Sequence, residues 1–389
     1  MLRVGIFIDT YFPMIDGVTN VVHNYAKRMN DDEFEVTVFC PIADKKYKDD
    51  FSYRVVRCKS MKICFLDYTM PLPKLDRKFK EILNGSELDI VHIHSPFGVG
   101  KMGVKYAQKH NIPVIATLHT QFEQDFYHET HSKLASKWLL KLIMRVFNQC
   151  DKCYAVNERV AEIYCGYGAK QVPGVLYNST DLLPVADGEK ADTLVNETYC
   201  LKADQPVFLF VGRLTALKNI DLIVDALARL KDIDFKMFFV GSGQDEDRLK
   251  HRIEKDGLND KVIMIGKIAD RAMLQALYHR AQLFLFPSLY DASSLVQIEA
   301  ASQKTPTLFA EGAATSCMIT DGVNGYTAPP EPEQYAAKIK EILSDKQAYD
   351  RVCEGAHRDL YSTWDDAVKT IKEIYRNIIE EHRNKNGQN

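Results

Sequence analysis

Ten short runs of almost unbroken apolar residues decide what this chain can fold into. "RVGIFID", "EVTVFCP", "DIVHIHS", "PVIATLH" and "KCYAVN" occupy the first half; "PVFLFVG", "FKMFFVG", "KVIMIG", "AQLFLFP" and "PTLFA" occupy the second. A strand with one face in water alternates apolar and polar side chains. A run that is apolar throughout must be covered on both faces, as the strands of a parallel sheet are. The helix-like segments between the runs complete βαβ units. Two such series in 389 residues, a length beyond that at which single cores stop growing, predict an α/β protein of two doubly wound domains.

The polar, strand-poor stretch "PVADGEKADTLVNETYCLKADQP" (184–206) carries the seam, which places the first domain over 1–190 and the second over 191–364. The last stretch, "WDDAVKTIKEIYRNIIEEH", sets Val368, Ile371, Ile374, Tyr375 and Ile378 at helical spacing and must dock its apolar face. A net charge of −3 argues against general nucleic-acid binding. The charge is uneven: residues 51–150 carry 15 Lys/Arg against 8 Asp/Glu, and residues 181–389 carry 26 against 33. The basic stretch suits an anionic surface or acceptor, or is simply a solvated face. Nine scattered cysteines do not make a disulfide framework. "MLRVGIFIDTYF" reads as a first strand rather than a secretion signal, and no apolar run approaches the roughly 18–20 residues that span a bilayer. The expectation is a cytoplasmic protein with reduced thiols. "CDKC", Cys150 to Cys153, reads as two packed thiols, with a redox or zinc role as the alternative.

Open parallel sheets bind ligands beyond the carboxyl ends of their strands, so the residues that follow each run are where chemistry is expected. After "PVFLFV" come Gly212, Arg213 and Lys218. Two cations five residues apart, beside a residue without a side chain, suit a diphosphate. "VGSGQDEDRL" is a glycine-containing strand-to-helix turn that fails the GxGxxG pattern. Its Asp245, Glu246 and Asp247 either complement a helix dipole, the simpler account, or form a metal site of DxD type. In "SLYDASSLVQIEA", Asp291 lies in a loop, Ser293 or Ser294 caps a helix, and Glu299 follows within it. The amides of such a helix start hold an anion, and the two acids accept bonds from hydroxyls. That spacing fits a nucleoside diphosphate sugar.

Together, "VGRLTALKNID", "SLYDASSLVQIEAASQKTP" and "DGVNGYTAPPEPEQ" resemble the C-terminal half of the family-four retaining glycosyltransferases. Their GT-B fold sets two Rossmann-like domains facing across a cleft. "YFPMIDGVTNVVHNYAKRM" is similar to that family's N-terminal glycine loop, and "LYNSTDL" to its interdomain Asn-Gly-Val-Asp element. "WDDAVKTIKEIY" is similar to the terminal helix, here within 365–389, that returns to the first domain. The resemblance implies that Arg213 and Lys218 bind the diphosphate, Glu299 the ribose and Asp291 the transferred sugar. It gives the distal phosphate to the Ser294 and Leu295 amides, beside Ser293. It puts Gly266, Lys267 and Ile268 next to the base, Gly17 and Gly212 in the donor site, and His119 on the donor sugar. Catalysis then falls to His119, Asp291, Arg213 and Lys218. The acceptor side takes Asp16, His94, Gln121, Glu123 and Asp125. The family carries Glu where Asp291 stands, glycines where Ala292 and Ser294 stand, and often a second glycine beside Gly17.

The implied activity is transfer of a hexose, with retention, from a nucleoside diphosphate sugar to a hydroxyl of a glycolipid or cell-envelope glycan. A UDP-sugar is expected ahead of a GDP-sugar, with no metal and no obligatory cofactor. A nucleotide-sugar epimerase of the same fold and a non-catalytic sugar-nucleotide-binding protein are the alternatives. "SKLASKWLLKLIMRVFNQ" (132–149) carries Lys133, Lys137, Lys141 and Arg145 on one stripe, with Trp138 among leucines. With "YRVVRCKSMKICF" and "PKLDRKFKEI" it either touches an anionic membrane, for a peripheral place on the inner face of the cell membrane, or packs its apolar face into the core beneath snorkelling lysines.

Overall fold

The computed structural model describes residues 1–14, 16–44, 46–62 and 69–387. Residues 63–65 of "YRVVRCKSMKICF", Cys64 among them, lie outside the described residues. The chain divides into two units: Met1–Asn178 with Trp364–Asn389, and Ser179–Thr363.

The first unit is built on a parallel sheet in the order β3-β2-β1-β6-β7-β8-β9. The strands are β1 (Leu2–Phe7), β2 (Phe34–Pro41), β3 (Arg54–Cys58), β6 (Ile90–Ile93), β7 (Val114–Leu118), β8 (Lys152–Ala155) and β9 (Gly174–Val175). A separate antiparallel ribbon joins β4 (Ser60–Lys62) to β5 (Thr69–Pro71). The five expected runs all form strands, and Val4, Ile6, Val36, Val38, Ile90, Val91 and Ile115 are wholly buried. β3 and β9 were not legible. β3, at one edge, is only partly buried, and β9 has two residues.

The helix Trp364–Gly387 belongs to this unit. It buries Trp364, Val368, Ile371, Tyr375, Ile378 and Ile379. At its rim, Asp365 pairs with Arg28 at 3.1 Å, Arg376 with Glu33 at 2.6 Å, Glu381 with Lys152 at 3.2 Å, and Lys372 with Asp31. The Tyr375 hydroxyl also reaches Nδ1 of His92 at 2.7 Å inside the core.

The second unit carries a six-stranded parallel sheet in the order β12-β11-β10-β13-β14-β15. The strands are β10 (Val207–Val211), β11 (Lys236–Val240), β12 (Val262–Gly266), β13 (Leu283–Phe286), β14 (Thr307–Ala310) and β15 (Tyr326–Ala328). Phe208, Leu209, Phe210, Phe238, Phe239, Phe284, Leu285 and Phe309 are fully enclosed, as strands covered on both faces require. Both sheets are parallel and doubly wound, as the apolar runs predict.

The seam falls earlier than the expected 190/191. Residues from Ser179 belong to the second unit: the Val185 amide donates to Gln303 Oε1 at 2.9 Å, and the helix Gly188–Tyr199 packs on the helix Arg271–Arg280. At the two crossings Thr180 bridges Thr363, and its amide donates to the Ser362 carbonyl at 3.0 Å. Polarity and lack of strands thus marked a packed helix rather than a linker.

Tyr375→Phe would leave the buried His92 Nδ1 without its partner. A loss of about 1–2 kcal/mol in the unfolding free energy is expected, measured by urea titration; an unchanged midpoint would contradict the bond.

Candidate functional site

A doubly wound sheet has one place where the strand order reverses, and there the loops leaving two adjacent strands run to opposite faces. In the second unit that place lies between β10 and β13. The loop after β10 is Gly212–Lys218, and the loop after β13 is Pro287–Ser294. The two stretches singled out in the sequence therefore flank one switch point. They are stitched together: the Asn219 side chain donates to the Pro287 carbonyl at 3.3 Å, Ser288 Oγ donates to the Leu217 carbonyl at 3.4 Å, and Lys218 Nζ pairs with Asp291. Lys218 also lies over the Phe286 ring, 5.7 Å from its centroid. Arg213 is exposed, with no ion pair among the described residues.

The glycines of "VGSGQDEDRL" serve this loop. Backbone bonds join Gly212 N to Val240 O at 3.0 Å and Leu214 N to Ser242 O at 3.1 Å. A Cβ on Gly241, whose φ is +132°, would sit 1.9 Å from the Gly212 carbonyl oxygen; one on Gly243 would sit 2.2 Å from that of Leu214. Asp245 is absorbed as well: it accepts from the Ala216 amide at 2.7 Å and from Arg248 at 3.0 Å. Glu246 pairs with Lys250 at 2.9 Å. Among the described residues no group of three His, Cys, Asp or Glu is placed to hold a metal ion. Gly266, with φ +79°, ends β12 and accepts from the Gly241 amide at 2.8 Å, with Lys267 exposed and Ile268 half-buried beyond it.

Ser294 is the N-cap of the helix Leu295–Ser302, in extended conformation, but its hydroxyl makes no capping bond and no acid stands in the first turn. A helix start of this kind suits an anion. Glu299 lies in the same helix, largely enclosed. Its Oε2 accepts from the Tyr278 hydroxyl at 2.9 Å, and Arg271 stands 3.6 Å from Oε1. Burial pushes this carboxyl above its ordinary range, while Tyr278 and Arg271 pull it back. Neither partner was singled out in the sequence. The signal was their i, i+7 spacing on one helix face.

In the first unit the order reverses between β1 and β6. His94, just past β6, contacts His119, just past β7: Nδ1 to Nε2 is 2.9 Å, with the rings stacked. His92, missed in the sequence, lies against His94 with the rings tilted by 38° and their centroids 4.1 Å apart, and bonds Thr117 Oγ1 at 2.7 Å. "HIH" places the two on one face of a strand, which was the available clue. Asp9, after β1, was also missed. Its carboxylate accepts from Ser95 Oγ at 2.6 Å and from the Val99 amide at 2.6 Å, capping the helix Gly98–His110.

The acceptor-side residues divide. Asp16 is the N-cap of the helix Gly17–Met29, accepting from the Thr19 amide at 2.7 Å, and Gly17 opens that helix with free space at its Cβ position. Gln121 is buried at the start of the helix Phe122–Thr130, Glu123 is exposed, and Asp125 is half-buried. The helix Lys133–Phe147 buries Leu140, Ile143, Met144, Val146 and Phe147. Its opposite side exposes Lys133, Lys137, Lys141 and Arg145. Leu134 and Trp138 are 82% and 62% exposed there, so Trp138 is not a core residue. Cys150 and Cys153 are free thiols bonded to the carbonyls of Val146 and Phe147.

Burial lowers His92 and His119 to about 3 and holds His94 well below its ordinary value, so the cluster is neutral at pH 7. Unfolded histidines take up protons near pH 6.5. The folded state then binds fewer protons than the unfolded one, and stability falls as the pH drops below that value. Asp125 has the opposite sign: burial pushes it up to about 6, so it weakens the fold at neutral pH and recovers stability as the pH falls through 6. Urea unfolding of the wild type should lose about 1 kcal/mol or more per pH unit between pH 6.5 and 4.5. His92→Gln should flatten that slope and Asp125→Asn steepen it; a slope unaffected by either would refute the assignment. Gly241→Ala should destabilise by about 2–4 kcal/mol, through a positive φ and a clash with backbone, read as a drop in Tm.

Residues 15–182 match the family model "Glycosyltransferase Family 4", and residues 197–359 match "Glycosyl transferases group 1". The chain is 26% identical over 351 residues to an alpha-monoglucosyldiacylglycerol synthase of Streptococcus pneumoniae, covering 88% of this chain and 79% of that one. The structure is similar to a sucrose-phosphate synthase of Thermosynechococcus elongatus, with TM-score 0.79, 19% identity, and coverage of 98% of this chain and 100% of that one. It is also similar to Anabaena HepE in complex with UDP, with TM-score 0.77, 17% identity, and coverage of 97% and 100%. Two successive family matches over most of the length, on two doubly wound parallel sheets, make this chain a member of the family-four glycosyltransferases, an enzyme of GT-B fold that transfers glycosyl groups.

Proposed function

We propose that the protein moves a hexose from a nucleoside diphosphate sugar, a UDP-sugar ahead of a GDP-sugar, to a hydroxyl of a glycolipid or cell-envelope glycan, with retention of configuration. The observation that carries the donor half is the β10/β13 switch point. A loop with Arg213 and Lys218 and a helix start without a capping side chain flank it, with Asp291 and Glu299 on either side of that helix start. Cations and amides suit a diphosphate, and carboxylates suit the hydroxyls at its two ends. Anabaena HepE is a fold neighbour in complex with UDP, which supports uridine as the first base to test.

The acceptor half rests on less. The pneumococcal relative is named for a glucosylated diacylglycerol. The helix Lys133–Phe147 presents four cations around the exposed Leu134 and Trp138, a face suited to an anionic lipid surface. No helix among the described residues is long and apolar enough to cross a membrane. Peripheral attachment to the inner face of the cell membrane is therefore part of the proposal.

In the mechanism proposed, the acceptor hydroxyl attacks the anomeric carbon on the face from which the diphosphate departs, and the departing phosphate oxygen takes the hydroxyl proton. Arg213, Lys218 and the amides at Ser294 and Leu295 stabilise the charge that develops on the leaving group. Asp291 holds the transferred sugar. His119, neutral, serves as a hydrogen-bonding group rather than an acid. The chemistry assigns no step to a metal or cofactor.

Thermal stabilisation by a panel of UDP-, GDP-, ADP- and TDP-sugars without added metal tests the donor. A ligand at about 100 times its dissociation constant adds roughly 2.7 kcal/mol. A hit from a UDP-sugar is expected, and no hit from any of them, with folded protein, would end this reading. Arg213→Ala should weaken donor binding by about 1.5–3 kcal/mol with little change in Tm, since the side chain is exposed and has no ion pair among the described residues. With the donor in hand, NMR of the product's anomeric proton separates retention from inversion, and vesicles containing diacylglycerol separate a lipid acceptor from a glycan.

A further inference from the structure

Glu299 is the acid given to the ribose, yet each of its oxygens faces a partner before any ligand arrives, one through a hydrogen bond and one through an ion pair. Tyr278 donates to Oε2 at 2.9 Å, and Arg271 Nη1 stands 3.6 Å from Oε1. Arg271 Nη2 bonds Asp181 Oδ1 at 2.5 Å. Tyr278 is fully buried, and Arg271 is half-exposed one residue past the Asp270 N-cap of the helix Arg271–Arg280. Seven residues apart, the two project from one face of that helix onto the helix that carries Glu299.

We propose that Tyr278 and Arg271 are positioning residues for the donor: they hold the Glu299 carboxylate in one rotamer, each using one oxygen, so that the lone pairs left over meet a vicinal diol. The inference rests on the reading of Glu299 as the ribose acid. A carboxylate accepts about four hydrogen bonds. Tyr278 takes one on Oε2 and Arg271 stands as a charge beside Oε1, which leaves acceptor capacity on both oxygens for the two hydroxyls of a ribose. Asp181 acts against this arrangement through its charge: it pairs with Arg271 through Nη2 and stands as a like charge to Glu299. The charged and titratable groups facing Glu299 are Tyr278, Arg271 and Asp181. The first two favour the carboxylate form and Asp181 disfavours it.

A hydroxyl that merely satisfied a buried group would, on removal, weaken the fold and leave the pH dependence of ligand binding alone. Positioning predicts shifts of opposite sign. Binding of UDP, GDP and ADP would be measured by calorimetry from pH 5 to 8 on the full chain, with Glu299→Gln supplying the nucleotide's own titration. Tyr278→Phe and Arg271→Ala should weaken nucleotide binding roughly tenfold at pH 7 and move the midpoint of its pH dependence upward. Asp181→Asn should move that midpoint downward, and Arg271→Lys should restore part of the Arg271→Ala loss. Arg271 and Asp181 are at the surface, so their variants stay folded even if Tyr278→Phe is unstable. If Glu299→Gln loses binding while Tyr278→Phe and Arg271→Ala keep wild-type affinity at every pH, the positioning role is overturned. Midpoints of Arg271→Ala and Asp181→Asn that move together overturn it too. If the wild type binds none of the three nucleotides, or Glu299→Gln binds as the wild type does, the donor reading itself fails and takes this inference with it.

Discussion

A parallel strand cannot meet its neighbour without a crossover, and crossovers have one hand. A sheet that grows outward in both directions from its first strand must therefore reverse once, and at the reversal the two loops part. Both sheets of this chain reverse after their first strand, at β1/β6 and at β10/β13. Everything with chemical character in the second unit follows from that. The Gly212–Lys218 and Pro287–Ser294 loops arrive from adjacent strands, bring opposite charges, and close on each other through Lys218 and Asp291. Arg213 stays outside that pair, exposed and with no ion pair among the described residues.

A second constraint decides which helix starts remain open. Each helix that follows a strand presents unpaired amides beyond the sheet. Asp9 fills those of the helix Gly98–His110, Asp16 those of Gly17–Met29, and Asp270 those of Arg271–Arg280. A carboxylate already seated at an amide cradle repels a phosphate from the same place. At Leu295 the N-cap Ser294 makes no capping bond and the first turn holds no acid. Asp9 and Asp16 thus satisfy amides of the fold, while the start at Leu295, with no capping bond and no acid in its first turn, suits an anion.

This explains how much was legible. The strands were, because a covered parallel strand has an apolar residue at every position; short or half-exposed edge strands such as β3, β9 and β15 have no such signature. The two loops at the β10/β13 switch point stood out because they place charge at a strand end, beside Gly212 in the first. The partners of Glu299 and the His92 layer were not legible, since their roles arise from helix-on-helix and strand-on-strand contacts far apart in sequence. Asp16, given to the acceptor side by the resemblance, is the N-cap of the helix Gly17–Met29 and accepts from the Thr19 amide, a role its sequence position alone does not announce. Trp138 sat among leucines and so resembled core, yet the helix turns it outward with the lysines.

The neutral histidine layer limits what the first unit can contribute under the proposed function. A proton placed on His92, His94 or His119 would be buried beside two other rings, and burial already holds all three far below the pH at which an imidazole ordinarily charges. Such a layer can orient and donate a hydrogen bond, but it cannot protonate a departing phosphate at neutral pH. A diphosphate, with its low basicity, does not need protonation to leave; it needs its negative charge met by fixed positive groups. Under the proposed function the second unit supplies them in Arg213, Lys218 and the amides at Leu295, which flank one switch point of the sheet. Lys218 must then exchange Asp291 for phosphate when the donor enters. That exchange frees the carboxylate at the moment a sugar hydroxyl arrives to replace the lysine as its partner, so neither charge is left buried and alone.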